Sequence, residues 1–262
     1  MALHPDKAKQ IGRFDLINKE EVFNTPHKYF VGDETVLNNP IYDKAFKKIL
    51  QLHQPKNKTA FLSLCTGKRP YYKSAKWKKY KLLFNGVDFI VTSNGGLIPE
   101  KFWHEYIYLI YDAPGRETGS EELAKNKQKK HNFPQLYGGK HYEGVEPKMT
   151  TQEVNELYQQ KMKDRLIQFF TKHHYDYVYG DYTKEQRAHK AFVEAMEYLK
   201  KNNKIKDYFL PAEDIKERCT DLGYLKPHGV GRMFPTLHSL YLKELNEIIN
   251  KIGKTNQELD EW

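Results

Sequence analysis

Apolar positions recur along this chain in two rhythms. Four short runs, TAFLSLCT (59–66), VDFIVTSN (87–94), EYIYLIYD (105–112) and YDYVYGD (175–181), are nearly continuously apolar and end in polar or glycine-containing stretches. Strands buried on both faces of a parallel sheet read this way, because neither face needs a polar row. Helical spacing fills the intervals between them. Thr150 with Glu153 forms a capping box ahead of Val154, Leu157, Tyr158, Leu166 and Phe169, and Thr183 with Gln186 is expected to open the helix AHKAFVEAMEYLKK. Strands alternating with helices predict an α/β fold, a central parallel four-stranded sheet flanked by helices.

The same pattern divides the chain. Residues 1–57 read as a helical or irregular preface in which IYDKAFKKILQL is a short amphipathic helix, and residues 58–205 as the α/β domain. Within that domain, 116–149 has much charge and little periodicity, as an insertion or lid would. Residues 206–262 turn helical again. PAEDIKERCTDLGYL breaks at Gly223, and after GVGR the stretch FPTLHSLYLKELNEIINKI puts Leu237, Leu240, Tyr241, Leu245, Ile248 and Ile252 on one face. A helical hairpin packed on the core is expected there, in preference to a phosphate-binding helix-hairpin-helix.

Composition narrows the classes. A hydrophobic fraction of 39% is low, but 19 Tyr and 14 Phe supply large apolar faces, so a real core is expected. Lys and Arg number 43 against 34 Asp and Glu, a formal charge of +9, which favours a polyanionic partner. Cys65 and Cys219 form no CxxC pair, so neither a structural zinc site nor a disulfide framework is expected, and a reducing cytoplasmic setting is. No run approaches the roughly 18 apolar residues of a membrane span, and MALHPDKAKQ lacks the hydrophobic core of a signal peptide. No membrane partner, metal or cofactor is called for.

Candidate chemistry concentrates where ligands of parallel sheets bind, beyond the carboxyl ends of the strands. The first such end runs through LSLCTGKRPYYKSAKWKKYK (62–81). Lys68, Arg69 and Lys73 suit phosphates flanking an extruded base, Tyr71 and Tyr72 offer stacking faces, and Lys76, Lys78, Lys79 and Lys81 suit general attraction to nucleic acid. Asn94 either reads a base edge or forms an Asn-Gly turn. Asp112 and Asp181 close the third and fourth runs, so each is a candidate to orient water or steady a cationic sugar, with turn capping as the alternative. Cys65 is a candidate nucleophile or an ordinary small residue at a strand end. His173 and His174 read as surface residues.

The spacing in the first of these segments is specific. Cys65, then Arg69-Pro70-Tyr71, Ser74 and Trp77, resembles the archaeosine synthase signature Pro-Cys-x3-Lys-Pro-Tyr-x2-Ser-x2-His. TSNGGLIPEKFWHEY with YDAPG, and YDYVYGDYTKEQRAHKAF, resemble two later segments of that tRNA-modifying family, so the likeness runs over roughly residues 58–200. Leu64, Arg69 and Trp77 depart from the family's proline, lysine and histidine, and no counterpart of its tRNA-binding modules is evident. The lysine-transfer chemistry of archaeosine synthase therefore does not carry over directly. That catalytic domain is related in turn to uracil-DNA glycosylases, whose first strand ends in Gly-Gln-Asp-Pro-Tyr-His; GKRPYY (67–72) is similar in form. The resemblance implies that Ser74 faces substrate and that His189, with Arg187, lies near the glycosylases' histidine motif. Arg69 stands where their water-directing aspartate would be, and an arginine stays protonated, so it cannot be the base.

Three functions follow as expectations. The first is a DNA glycosylase that flips and excises a modified base, with an antiviral role if the base belongs to a phage genome. The second is an archaeosine-synthase-like transferase acting on a deazaguanine in tRNA or DNA through Cys65, and the third is a nucleic-acid-binding module without chemistry.

Overall fold

A computed structural model describes residues 29–31, 33–65, 71–108, 111–112, 142–143, 149–184, 186–215, 218 and 239–260. In chain order its principal elements are β1 (Tyr29–Val31), α1 (Asp33–Asn38), α2 (Pro40–Leu52), β2 (Thr59–Leu64), α3 (Ala75–Leu83), β3 (Val87–Ser93) and β4 (Gly96–Pro99). There follow β5 (Tyr111–Asp112), β6 (Tyr142–Glu143), α4 (Thr151–Lys172), β7 (Tyr177–Asp181), α5 (Arg187–Lys201), β8 (Asp207–Phe209) and α6 (Ser239–Asp260).

The main sheet has five strands in the order β4-β3-β2-β7-β8. β2 is central and pairs in parallel with β3 and β7, β8 adds in parallel to β7, and β4 folds back antiparallel on β3. Every residue of β2 is buried, as its unbroken apolar run predicts. The α/β reading therefore holds, with a mixed five-stranded sheet in place of a parallel four-stranded one.

The third expected strand is the main correction. EYIYLIYD does not enter this sheet: Tyr106–Tyr108 is a 3-10 turn, and β5 pairs in parallel with β1, which pairs on its other side with β6. Ile107 and Tyr108 are buried in the core, so this part of the run is apolar for burial rather than for pairing. A short apolar run does not distinguish these cases. The outer parallel position belongs instead to β8, a three-residue strand within the stretch expected to be helical.

Helices cover both faces. On one, Phe61 of β2, with its row neighbours Phe89 and Tyr179, meets Tyr80 of α3 and Phe84 at its C-cap, with Phe61 and Tyr179 rings stacked at 5.3 Å. On the other, α4 and α5 pack together, and Phe192 of α5 lies against Gly180 of β7. The capping box that opens α4 is present, Thr150 and Glu153 exchanging bonds. α5 begins at Arg187, one residue before the expected AHKAFVEAMEYLKK, but without the expected cap. Gln186 is its N-cap, and Thr183 and Gln186 instead close a turn just before it, the Gln186 N–H donating to the Thr183 carbonyl at 2.9 Å. The turn between the C-terminal helices, with Cys219, lies outside the described residues, while α6 buries Tyr241, Leu242, Leu245 and Ile249. No described helix is long and apolar enough to cross a membrane.

Candidate functional site at the carboxyl ends of β2 and β7

From β2 the chain crosses to β3 on one side, then returns past β2 to β7 on the other. This reversal makes the carboxyl ends of β2 and β7 a topological switch point, the place where open α/β sheets bind ligands. Ser63 and Asp181 are register partners there. Pleating puts both on the face of Phe61 and Tyr179, toward α3.

Asp181 sits in a buried polar network and is 2% exposed. Its Oδ2 accepts from Ser63 Oγ and, at 2.7 Å, from Tyr80 Oη; its Oδ1 accepts from Tyr241 Oη of α6. Lys76 Nζ donates to Ser63 Oγ at 2.9 Å and to the Leu64 carbonyl at 2.6 Å. Burial pushes the Asp181 carboxyl above its ordinary value, while the charge of Lys76 and the three hydroxyl donors pull against that rise. A buried charge of either sign needs such company, since removing one partner of a buried pair costs about 3–5 kcal/mol. Tyr241 and Tyr179 are themselves hydrogen-bonded, and burial raises both phenols.

This network corrects the reading of Lys76, which is buried and tied to the β2 terminus, not part of a solvated charge run. Sequence reasoning also missed Ser63, Tyr80 and Tyr241. Ser63 was legible as a polar residue inside an apolar strand and Lys76 as a lysine at a helix start beside buried aromatics. The return of α6 to Asp181 left no local signal.

The other predicted residues divide between those brought to this end of the sheet and those placed elsewhere. Cys65 follows β2, half-buried, with its N–H donating to the Thr92 carbonyl at 2.9 Å. Lys68 and Arg69 lie outside the described residues, and Lys73 is described only in its backbone, within a 3-10 turn. Tyr71 is fully buried, its ring edge to face with that of Trp103 at 6.1 Å, so its contact is inside the protein; Tyr72 is half-buried, 4.8 Å from His104. Ser74 is the N-cap of α3, accepting from the Trp77 N–H at 3.3 Å, and so has a structural role in place of the substrate-facing one. Asp112 is the end of β5, in the small sheet with β1, and does not close a strand of the central sheet as expected.

Asn94 forms the two-residue turn between β3 and β4 with Gly95 and also binds side chains: its Oδ1 accepts from Arg187 Nη2 at 2.6 Å and its carbonyl from Arg165 Nη1 at 3.3 Å. The Arg187 guanidinium lies 4.0 Å over the Tyr158 ring. Gly96 follows with φ +121°, a conformation glycine adopts readily, and an added Cβ would stand 3.4 Å from Arg165 Nη1. His189 is half-buried in the first turn of α5, its N–H on the Gln186 carbonyl. His173, expected at the surface, is buried beside Phe169 and His53; His174 is exposed.

No family model matches the chain, and no curated protein matches it. Among solved structures it is similar to the crystal structure of AF0587, a protein of unknown function, at 14% identity and a TM-score of 0.36. That alignment spans 74% of this chain and 56% of the other, and a likeness this distant carries no inference about site or activity.

Proposed function

We propose that this chain is a DNA glycosylase of uracil-DNA-glycosylase-like architecture that receives a modified base extruded from DNA and cleaves its N-glycosidic bond. The observation that carries the reading is Asp181, a carboxyl group buried at the switch point and held by Ser63, Tyr80 and Tyr241, with Lys76 bonded to Ser63 beside it. When the bond between C1′ and the base breaks, its electron pair leaves with the base and the sugar becomes cationic. A fixed carboxylate in a low-dielectric surrounding favours that charge from its buried position, without contact. Water then adds to C1′ through oxygen, and its proton passes to the departed base. The net charge of +9, with Lys78 and Lys79 exposed on α3, favours approach of a polyanion. If the base is one that phages carry, the reaction serves antiviral defence.

Mass spectrometry of nucleosides and free bases, after exposing the protein to phage genomic DNAs and to total tRNA, tests the proposal. A released base is expected, with the rate falling roughly 10²–10³-fold in Asp181→Asn, the order seen when one transition-state electrostatic partner is removed. A mass gain abolished by Cys65→Ser would instead establish the transferase reading, which the placement of the Cys65 thiol at the β2 terminus supports. Binding with no product from any substrate would leave a module without chemistry and overturn both.

A further inference from the structure

A cavity of about 660 Å³ opens at the opposite end of the sheet, beside the amino ends of β2 and β3 and the far end of β4. His53, Lys56, Asn57, Asp88, Glu100 and Lys101 are among the residues that line it. Its two carboxylates are already engaged. Asp88 accepts from the Lys56 N–H at 2.8 Å, from Asn57 Nδ2 at 2.7 Å and from Tyr175 Oη at 3.0 Å, and Glu100 is ion-paired with Lys81. No described carboxylate ion-pairs with Lys56 or Lys101; the donors to Asp88 are neutral and leave its charge in place, so the cavity keeps one ammonium in excess, and Lys101 Nζ lies at 3.5 Å from the Leu52 carbonyl.

His53 adds a directional group. Tyr175 has one hydroxyl proton and gives it to Asp88, so His53 Nε2, 2.8 Å from Tyr175 Oη, must be the donor in that pair. Its other ring nitrogen, Nδ1, is then an acceptor. Burial holds the imidazole neutral, its pKa lowered to about 4. Asp88 also pins the backbone of residues 56 and 57, so the wall that carries Lys56 is ordered before any ligand arrives.

We infer that this cavity binds a small phosphate monoester, its anionic group between Lys56 and Lys101 and a hydroxyl or N–H of the ligand donating to His53. The site stands apart from the switch point and does not depend on the activity proposed there.

Calorimetric titration of the full chain with AMP, ribose 5-phosphate, inorganic phosphate and adenosine, followed by amide NMR, tests it. The two monoesters should bind, inorganic phosphate more weakly and adenosine not measurably, with shifts at residues 54–57 and 87–89. Lys56→Met with Lys101→Met, both at exposed positions, should weaken monoester binding at least tenfold. His53→Gln should narrow the gap between monoesters and inorganic phosphate, and the NMR spectrum of that variant reports its fold separately. Absence of binding, equal binding of adenosine, insensitivity to the lysine changes, or shifts centred on residues 180–186 would each overturn the inference.

Discussion

His53 and His173 meet edge to face with ring centroids 4.9 Å apart, and burial lowers each to about 4 from an ordinary value of 6.5. The unfolded chain therefore binds more protons than the fold between roughly pH 4 and 6.5, so the contribution of these groups is full above that window and is lost as pH falls through it. Asp181 works in the opposite sense, because its carboxyl is raised and protonation relieves burial as pH falls. Two histidines against one carboxyl should leave a net loss: thermal unfolding should move to lower temperature between pH 7 and pH 5. His173→Phe should flatten that dependence, and an unchanged midpoint across this range would remove the argument. Neither histidine was legible as a buried group, since what buries them is the meeting of the α2 and α4 carboxyl termini under Tyr175.

Among the elements, the junction of β7 with α5 leaves the least room. A Cβ on Gly180 would stand 2.7 Å from Phe192 Cζ and 2.8 Å from Tyr182 Cδ2, both aromatic atoms held in the core. Gly180→Ala should thus destabilise the protein by about 1–3 kcal/mol through overpacking, measured by denaturant unfolding. Phe192→Leu, which retracts the ring, should recover part of that loss in the double variant. The strands that pair over five or more residues, β2, β3 and β7, were legible because burial on both faces writes a continuous apolar run. β8 was not, with three half-buried residues and a charged start, and its pairing follows from β7 offering an open edge. At the candidate site the sequence located Asp181 and Asn94 as strand-end polar residues. The partners that define their surroundings came from elements distant in sequence, which no local pattern reports.

For the whole molecule, excess positive charge makes a claim independent of any one residue. If the partner is nucleic acid, affinity should fall linearly in log-log form with salt, by about 0.7–0.9 per phosphate neutralised. Fluorescence anisotropy with single- and double-stranded oligonucleotides between 50 and 200 mM salt, on the order of conditions where such effects are large, measures that slope. A flat response would count against a polyanionic partner. The α/β class was readable from periodicity. The mixed sheet and the small β5-β1-β6 sheet were not, since strands of two or three residues carry too little pattern.

The bond between Tyr241 and Asp181 joins the carboxyl end of the central sheet to a helix that begins almost sixty residues later. During synthesis, β2, β3 and β7 are available to pair well before that hydroxyl leaves the ribosome. At about 5–20 residues per second the interval is on the order of several seconds. Throughout it, the carboxyl group has Ser63, Tyr80 and Lys76 nearby but lacks its last donor, which arrives only with α6. Synthesis thus supplies the partners of this buried carboxyl in a fixed order, with Tyr241 last.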